Sequence, residues 1–346
     1  MDASHTARGN QSGKTTLVLK GIAIVSILVL AGALVSCSRE DTPKKTESIR
    51  LGTVLLEPSL PVFIAESQGF FRKNGLKVTI EYYDVGMRAA DGVEKSEVDL
   101  ATPVAEYVLV GKIFAKKRIQ AIASIDEVDY AYVVGRKDRG INAISDLKGK
   151  RIGVVRGTIL DFQLGRFLDL SGMSIEEVEL VNATLPQAAD ALVRGDIDAV
   201  MTIPPFIGTV QEKLGDNAIL WPAQNSQPFY SLVLGKSEWI RRHPEAVERF
   251  LRAINDAEVY ISQHPDEAKA ALKKKLKFTD ADVTRVWLQN NFSLSLDQAL
   301  ILAMEDEARW MMRNGLTGDK EVPDFADYVY EEGLKAFKPE AVGIIR

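Results

Sequence analysis

The stretch "LEPSLPVFIAESQGFFRKNGLKVTIEYYD", residues 56–84, decides the fold. Glu57-Pro58-Ser59 is a turn signal, and the run before it, "IRLGTVLL" (49–56), is apolar and β-rich, as a strand requires. After the turn, Val62, Ile64, Ala65 and Phe70 recur at helical spacing, and Gly69 or Gly75 closes the helix. "LKVTIEYYD" then alternates, with Val78 and Ile80 on one face, and reads as a second strand. Strand, helix and strand in so short a span make a parallel βαβ unit.

The same rhythm continues outward. "DGVEKSEVDLATP" (91–103) is a helix feeding a short strand at Val98 to Thr102, "YVLVGKIFA" (107–115) a helix and "IQAIASID" (119–126) a strand. Further on come a strand at Arg151 to Val155, the helix "ILDFQLGRFLDLSG" (159–172), then strand, helix, strand over 178–203, and the strand "SLVLG" (231–235). Alternation of this kind predicts parallel sheets covered by helices on both faces. After residue 236 the texture turns helical, with Pro244 and Pro265 where a first helical turn tolerates proline. No further strand is expected there, and the tail "DFADYVYEEGLKAF" (324–337) reads as helix.

Five pieces in order resemble the substrate-binding proteins of ABC importers in the nitrate, sulfonate and taurine class. They are Gln68-Gly69-Phe70-Phe71-Arg72-Lys73-Asn74-Gly75-Leu76-Lys77-Val78, "SEVDLAT" (96–102), "ISDLKGKRIGVVRGT" (144–158), "AADALVRGDIDAVMTIPPF" (188–206) and "RRHPEAVERFLRAINDA" (241–257). The likeness covers Ile49 to about Gln263, and it extends to relatives that handle a thiamine-pyrimidine precursor. It implies an α/β, two-lobed, periplasmic-binding-protein-like fold of type II, with the ligand cleft between lobes and a helical C-terminal part. Residues 49–135 and 236–346 would form the first lobe and 136–235 the second, with hinge crossings near Val133 to Arg139 and Leu232 to Ser237. One departure stands out: Ile203-Pro204-Pro205-Phe206 lies where the family often carries Trp-Glu-Pro-Phe.

Ligands of open α/β sheets sit beyond the carboxyl ends of strands, where helix N-termini offer free N–H groups. The rule selects Leu56, Glu57, Ser59 and Leu60 in the first loop, Met87 and Arg88 in the second, and Thr102 and Pro103 in the third. A fourth loop adds Thr158, Asp161 and Phe162; Pro205 and Tyr230 complete the expected wall. Arg88 is the expected anion partner, because a guanidinium grips a carboxylate, sulfonate or phosphate with two bonds. A solvated surface role is the plain alternative for it. Asp126 and Asp161 would instead meet an amine or a ring N–H. Thr158 serves equally as a helix cap, and Asp161 as a partner of the helix dipole. Phe162, Phe206 and Tyr230 also fit a core.

The N-terminal end sets the compartment. A basic, polar start carrying Arg8, Lys14 and Lys20 leads into the uncharged run "GIAIVSILVLAGALV" (21–35). That is the pattern of a secretory signal, too short for a confident membrane span of roughly 20 residues. Leu34-Val35-Ser36 precede Cys37, the single cysteine, and resemble a bacterial lipobox. Residues 1–36 are therefore expected to be a lipoprotein signal peptide, Cys37 the lipidation site, and 37–48 a tether; an uncleaved anchor helix is the competing reading. The sequence "GNQSGKTT" (9–16) imitates a phosphate loop, but Arg8 stands where that motif needs glycine.

The full chain of 346 residues has a formal net charge of −5, and removing residues 1–36 leaves 40 basic and 47 acidic residues. A nucleic-acid binder usually shows a basic surplus. His243 and His264 each precede a proline, and no His/Cys cluster at metal spacing exists. The expectation is a non-enzymatic, lipid-anchored, extracytoplasmic monomer without metal or cofactor. It would deliver a small molecule to an ABC permease with its ATPase subunit, with no nucleic-acid partner. A nitrate-, sulfonate- or taurine-type anion is the expected ligand, and a heterocyclic vitamin precursor the alternative; a sensor or an enzyme on the same fold ranks below both.

Overall fold

The computed structural model describes residues 46–129, 131–224 and 227–346. The expected signal peptide, Cys37 and most of the tether lie outside the described residues. No helix among the described residues is long and apolar enough to cross a membrane.

Two sheets form the frame. The first holds β1 (Glu47–Val54), β2 (Leu76–Tyr83), β3 (Leu100–Ala105) and β4 (Ile119–Val128). The second holds β5 (Tyr132–Arg136), β6 (Arg151–Val154), β7 (Glu179–Asn182), β8 (Ala199–Thr202) and β9 (Ala218–Pro222). β10 (Phe229–Lys236) and the short β11 (Asn290–Asn291) return to the first sheet, whose order is β11-β4-β10-β3-β1-β2. The second sheet runs β7-β6-β8-β5-β9. Each sheet thus has an interior strand inserted against the grain, β10 between β3 and β4 and β5 between β8 and β9, and the edge strand β11 also runs antiparallel to β4. The two interior strands flank the chain's passages between sheets, so each enters its sheet from the opposite end.

The passages fall between the end of β4 at Val128 and the start of β5 at Tyr132, and between the end of β9 at Pro222 and the start of β10 at Phe229, ahead of the expected ones. Val133 to Arg136 belong to β5 and Leu232 to Lys236 to β10, both fully paired. The expected second lobe, 136–235, therefore loses β10 to the first sheet and gains β5. An apolar run such as 229–236, buried on both faces, suits the middle of either sheet, so its own residues do not say which one it joins. β1 also starts at Glu47, inside the expected tether, because the Glu47 N–H reaches the Gly75 carbonyl at 3.1 Å.

The helices follow from the pattern. α1 (Leu60–Ser67), the short α2 (Phe70–Lys73), α3 (Gly86–Lys95) and α4 (Glu106–Phe114) cover the first sheet. α5 (Ile159–Leu170), α6 (Leu185–Arg194) and α7 (Pro204–Leu214) cover the second. Strand alternation assigns the faces: Val134 and Val200 pack under α6 and α7 with Leu192, Ile207 and Val210, while their neighbours Val133, Ala199 and Met201 face the main core. Gly195 ends α6 at φ +83°, a left-handed conformation that a side chain would strain. That main core continues through α5 into the first lobe.

The C-terminal part runs through α8 (Ser237–Arg242), α9 (Pro244–Gln263), α10 (Pro265–Leu276), α11 (Asp280–Trp287) and α12 (Gln298–Arg313) to the short α13 (Glu332–Lys335). α9 buries Val247, Phe250, Leu251, Ile254 and Ile261 along one stripe against α1 and α2. Two readings of this part need correction. β11 adds an edge strand on β4, and the tail is mostly irregular, with only a 3-10 turn at Phe325–Tyr328 and the single turn of α13. Val329 makes a bridge with Ala121 instead, so sheet pairing prevails over helix propensity there.

Candidate functional site

A cleft lies between the sheets at the carboxyl ends of their parallel strands. It encloses about 100 Å³. Val54 at the end of β1, Pro103 on β3, Val155 after β6 and Ile203 after β8 contribute one wall each, and Phe229 and Ser231 on β10 form the base. Leu56, Pro58, Val85, Met87, Ile159, Leu160 and Leu185 fill the spaces between. Among the described residues, no acidic or basic side chain lines it.

Its polarity comes from backbone ends. α3 opens at Val85-Gly86, α4 at Ala105, α5 at Thr158, α6 at Leu185 and α7 at Ile203, and all of these residues touch the cavity. The first N–H groups of a helix lack intrahelical partners and carry the positive end of the macrodipole. Several such ends around one cavity favour an anion or a strong acceptor. Gly86 makes the approach possible: a Cβ there would sit 2.5 Å from the Pro103 carbonyl oxygen. One side-chain group adds to the set. Ser231 is fully buried in the lining, and its Oγ has no hydrogen-bond partner among the described residues.

Of the residues expected from sequence, Leu56, Met87, Pro103 and Thr158 line the cavity. The Thr158 hydroxyl donates to the Val155 carbonyl at 2.7 Å, so it staples its own loop and neither caps α5 nor offers its proton to a ligand. Glu57, Ser59, Leu60 and Thr102 are buried and do not line it. The Ser59 Oγ donates to the Val54 carbonyl at 2.8 Å, tying the first loop to β1. Asp126 is buried as well, and burial, reinforced by the charges of Glu57 and Glu127, holds its carboxyl well above the usual range.

The remaining expected residues have other tasks. Asp161 accepts from Arg156 Nε at 3.0 Å and from the Gly157 N–H at 3.1 Å, closing the β6–α5 loop. Burial still raises its carboxyl above the ordinary value. Phe162 stacks on Tyr107 and lies outside the cleft. Tyr230 points its side chain into the core, while its N–H donates to Glu106 Oε2 at 2.9 Å. Pro205 sits in the first turn of α7, and its side chain is outside the described set. Arg88 turns away: its side chain is 60% exposed and its Nη1 lies 3.5 Å from Asp91 Oδ2. Sequence reasoning missed Ser231 and Phe229, because a residue inside a buried strand carries no loop signal.

A two-lobed α/β body with an apolar cleft at its strand ends is the architecture of the periplasmic binding proteins. The chain belongs to the NMT1/THI5-like family, whose model matches residues 58–268. It is similar to a putative aliphatic sulfonates-binding protein of Bacillus subtilis (strain 168), 26% identical over 89% of this chain and 94% of that one. It is also similar to a 4-amino-5-hydroxymethyl-2-methylpyrimidine phosphate synthase of Aspergillus parasiticus, 25% identical over 60% of this chain and 64% of that one. Among solved structures, the alkanesulfonate-binding protein SsuA of Xanthomonas axonopodis pv. citri bound to MOPS superimposes with a TM-score of 0.72 at 16% identity, over 83% of this chain and 99% of that one.

Proposed function

We propose that the chain is an extracytoplasmic solute-binding lipoprotein that captures a small organic anion of the sulfonate type and hands it to an ABC permease. The observation that carries this reading is the cleft itself: helix N-termini and the Ser231 hydroxyl for a charged head, apolar walls for a hydrocarbon body, and no acid or base in the lining. The similarity to a putative aliphatic sulfonates-binding protein supports the same ligand class. Such walls suit nitrate poorly, since it has no body to bury, and they leave the ammonium of taurine without a partner. Binding follows from closure of the lobes about the β4–β5 and β9–β10 passages, driven by contacts made only in the closed form. Binding, not catalysis, is the proposed activity.

A pyrimidine ligand is the second reading, favoured by the apolar walls and the Aspergillus relative. A thermal-shift and calorimetry panel of butanesulfonate, taurine, nitrate and an aminopyrimidine separates the two, because a ligand that binds only the native state raises its apparent stability. Butanesulfonate is expected to give the largest shift; a response to the aminopyrimidine alone would replace the anion reading with the second one. In the same panel Arg88→Ala is expected to change affinity by less than about 0.5 kcal/mol, as for a surface charge. A tenfold loss would put Arg88 back in the cleft.

The anchor is proposed from sequence alone. Cys37→Ser is expected to release the protein from the membrane fraction or leave its signal uncleaved. Mass spectrometry of the native N-terminus that found a free thiol at Cys37 would remove the lipid anchor from this account.

A further inference from the structure

The lobes touch at a second place, next to the cleft, with Ile159 and Phe229 lining both. α5 of the second lobe lies on α4 and α12 of the first. At Gly165 a Cβ would fall 2.4 Å from Trp310 Cζ2, so the helices meet at a glycine. Phe162 stacks on Tyr107 at 5.9 Å and meets Trp310 edge-on at 5.5 Å, and Arg166 Nη1 bonds Asp306 Oδ2 at 2.9 Å. Within this contact is a cavity of about 10 Å³, close to the room one water needs. Its wall includes Glu106, Gln163, Gln224 and Glu307. Both glutamates are 1% exposed, and their carboxyls hydrogen-bond each other.

We propose that Glu106 and Glu307 form a proton-binding site between the lobes, beside the ligand cleft, and that closing the lobes loads it with a proton. Two carboxylates sharing one buried wall repel each other unless a cation or a proton intervenes. The cation in that wall, Arg166, bonds Asp306 through Nη1, and its buried Nε has no hydrogen-bond partner among the described residues. Beyond it, Arg156 is engaged by Asp161, and the acids Glu127 and Asp297 act on Tyr230 from the far side. The phenol of Tyr107 is kept neutral by burial and by the charges of Asp161 and Glu307. The hydrogen bond between the two carboxyls needs a proton on one of them, since two carboxylates only accept. Burial pushes Glu106 up to about 8, and burial with the charges of Glu106 and Asp306 pushes Glu307 well above the carboxylate range.

Opening the lobes withdraws Gln163 and Phe162 and admits water, returning the acids to about 4.3. Between that value and about 8 the open form is ionised and the closed form protonated. The closed form is then fully favoured at low pH and loses that advantage as pH rises through about 8. Each proton taken up changes the closed-to-open ratio by about tenfold per pH unit within this window. This rests on the lobe motion proposed above, so the test reads that motion without any ligand.

Small-angle scattering of the full chain from about pH 5.5 to about pH 9.5 reads the opening, and carbon-13 shifts of labelled glutamate carboxyls read the protons. The expected result is expansion as the pair loses its late-titrating proton, with Glu307→Gln and Glu106→Gln each staying compact across a wider range. Constant dimensions while that proton is lost would overturn the site, and so would the same expansion in both glutamine variants. Butanesulfonate affinity, measured separately at low pH, tells the two proposals apart. Binding without pH-linked expansion rejects the proton site and keeps the ligand reading; expansion without binding does the reverse.

Discussion

Ser231→Asp is expected to weaken butanesulfonate binding by about a hundredfold or more. The residue lies on β10 at the base of the cleft, fully buried, with its hydroxyl unpaired among the described residues. A carboxylate there meets the ligand's negative head in a low-dielectric wall, and leaving one buried charge unpaired costs about 3 kcal/mol or more, which is about a hundredfold in affinity. Ser231→Ala removes one hydrogen bond and should cost about 0.5–1.5 kcal/mol, two- to tenfold. Calorimetry on both variants, with melting temperatures to confirm that they fold, gives the answer. Wild-type affinity in the aspartate variant would mean that the cleft of Ser231 is not the binding site.

Phe250→Ala should remove about 3–5 kcal/mol of stability, the range for a fully buried phenylalanine. Phe250 is on α9, is 0% exposed, and stacks on Phe71 of α2 with ring centroids 5.8 Å apart. The pair ties the C-terminal helices to the first sheet. In urea the transition midpoint should fall while its slope is kept, because surface exposed on unfolding hardly changes. A loss below about 1 kcal/mol would show that α9 rides on the first lobe without sharing its core.

The candidate site was legible only in outline. The rule that ligands gather at strand ends located the loops at Leu56, Met87, Pro103 and Thr158, since loop position follows from the order of strands and helices. It misassigned Arg88 because helix geometry turns each residue about 100° from the last. Gly86 and Met87 reach the wall, and the next side chain swings out to Asp91. Asp126 and Asp161 look like ligand partners in sequence because both stand at element ends. In space one is buried behind the first loop and the other closes its own loop.

What the sequence by itself determined is the succession of elements: apolar periods of two and of about 3.6, punctuated by glycine and proline, are local properties that a short window contains. That succession was enough for α/β sheets covered by helices, and the two lobes followed from the resemblance to importer binding proteins. Which sheet a strand joins was not contained in it. The run 229–236 is buried on both faces and fits either sheet; only its pairing with β3 and β4 puts it in the first and moves the passages to the β4–β5 and β9–β10 connections. The same pairing sets Ser231 in the floor of the cleft and brings Tyr230 against Glu106. Tertiary structure alone also set Glu307 in the wall with Glu106, 201 positions away in the chain. Burial and charge proximity depend on which distant segments meet, and no local pattern records that.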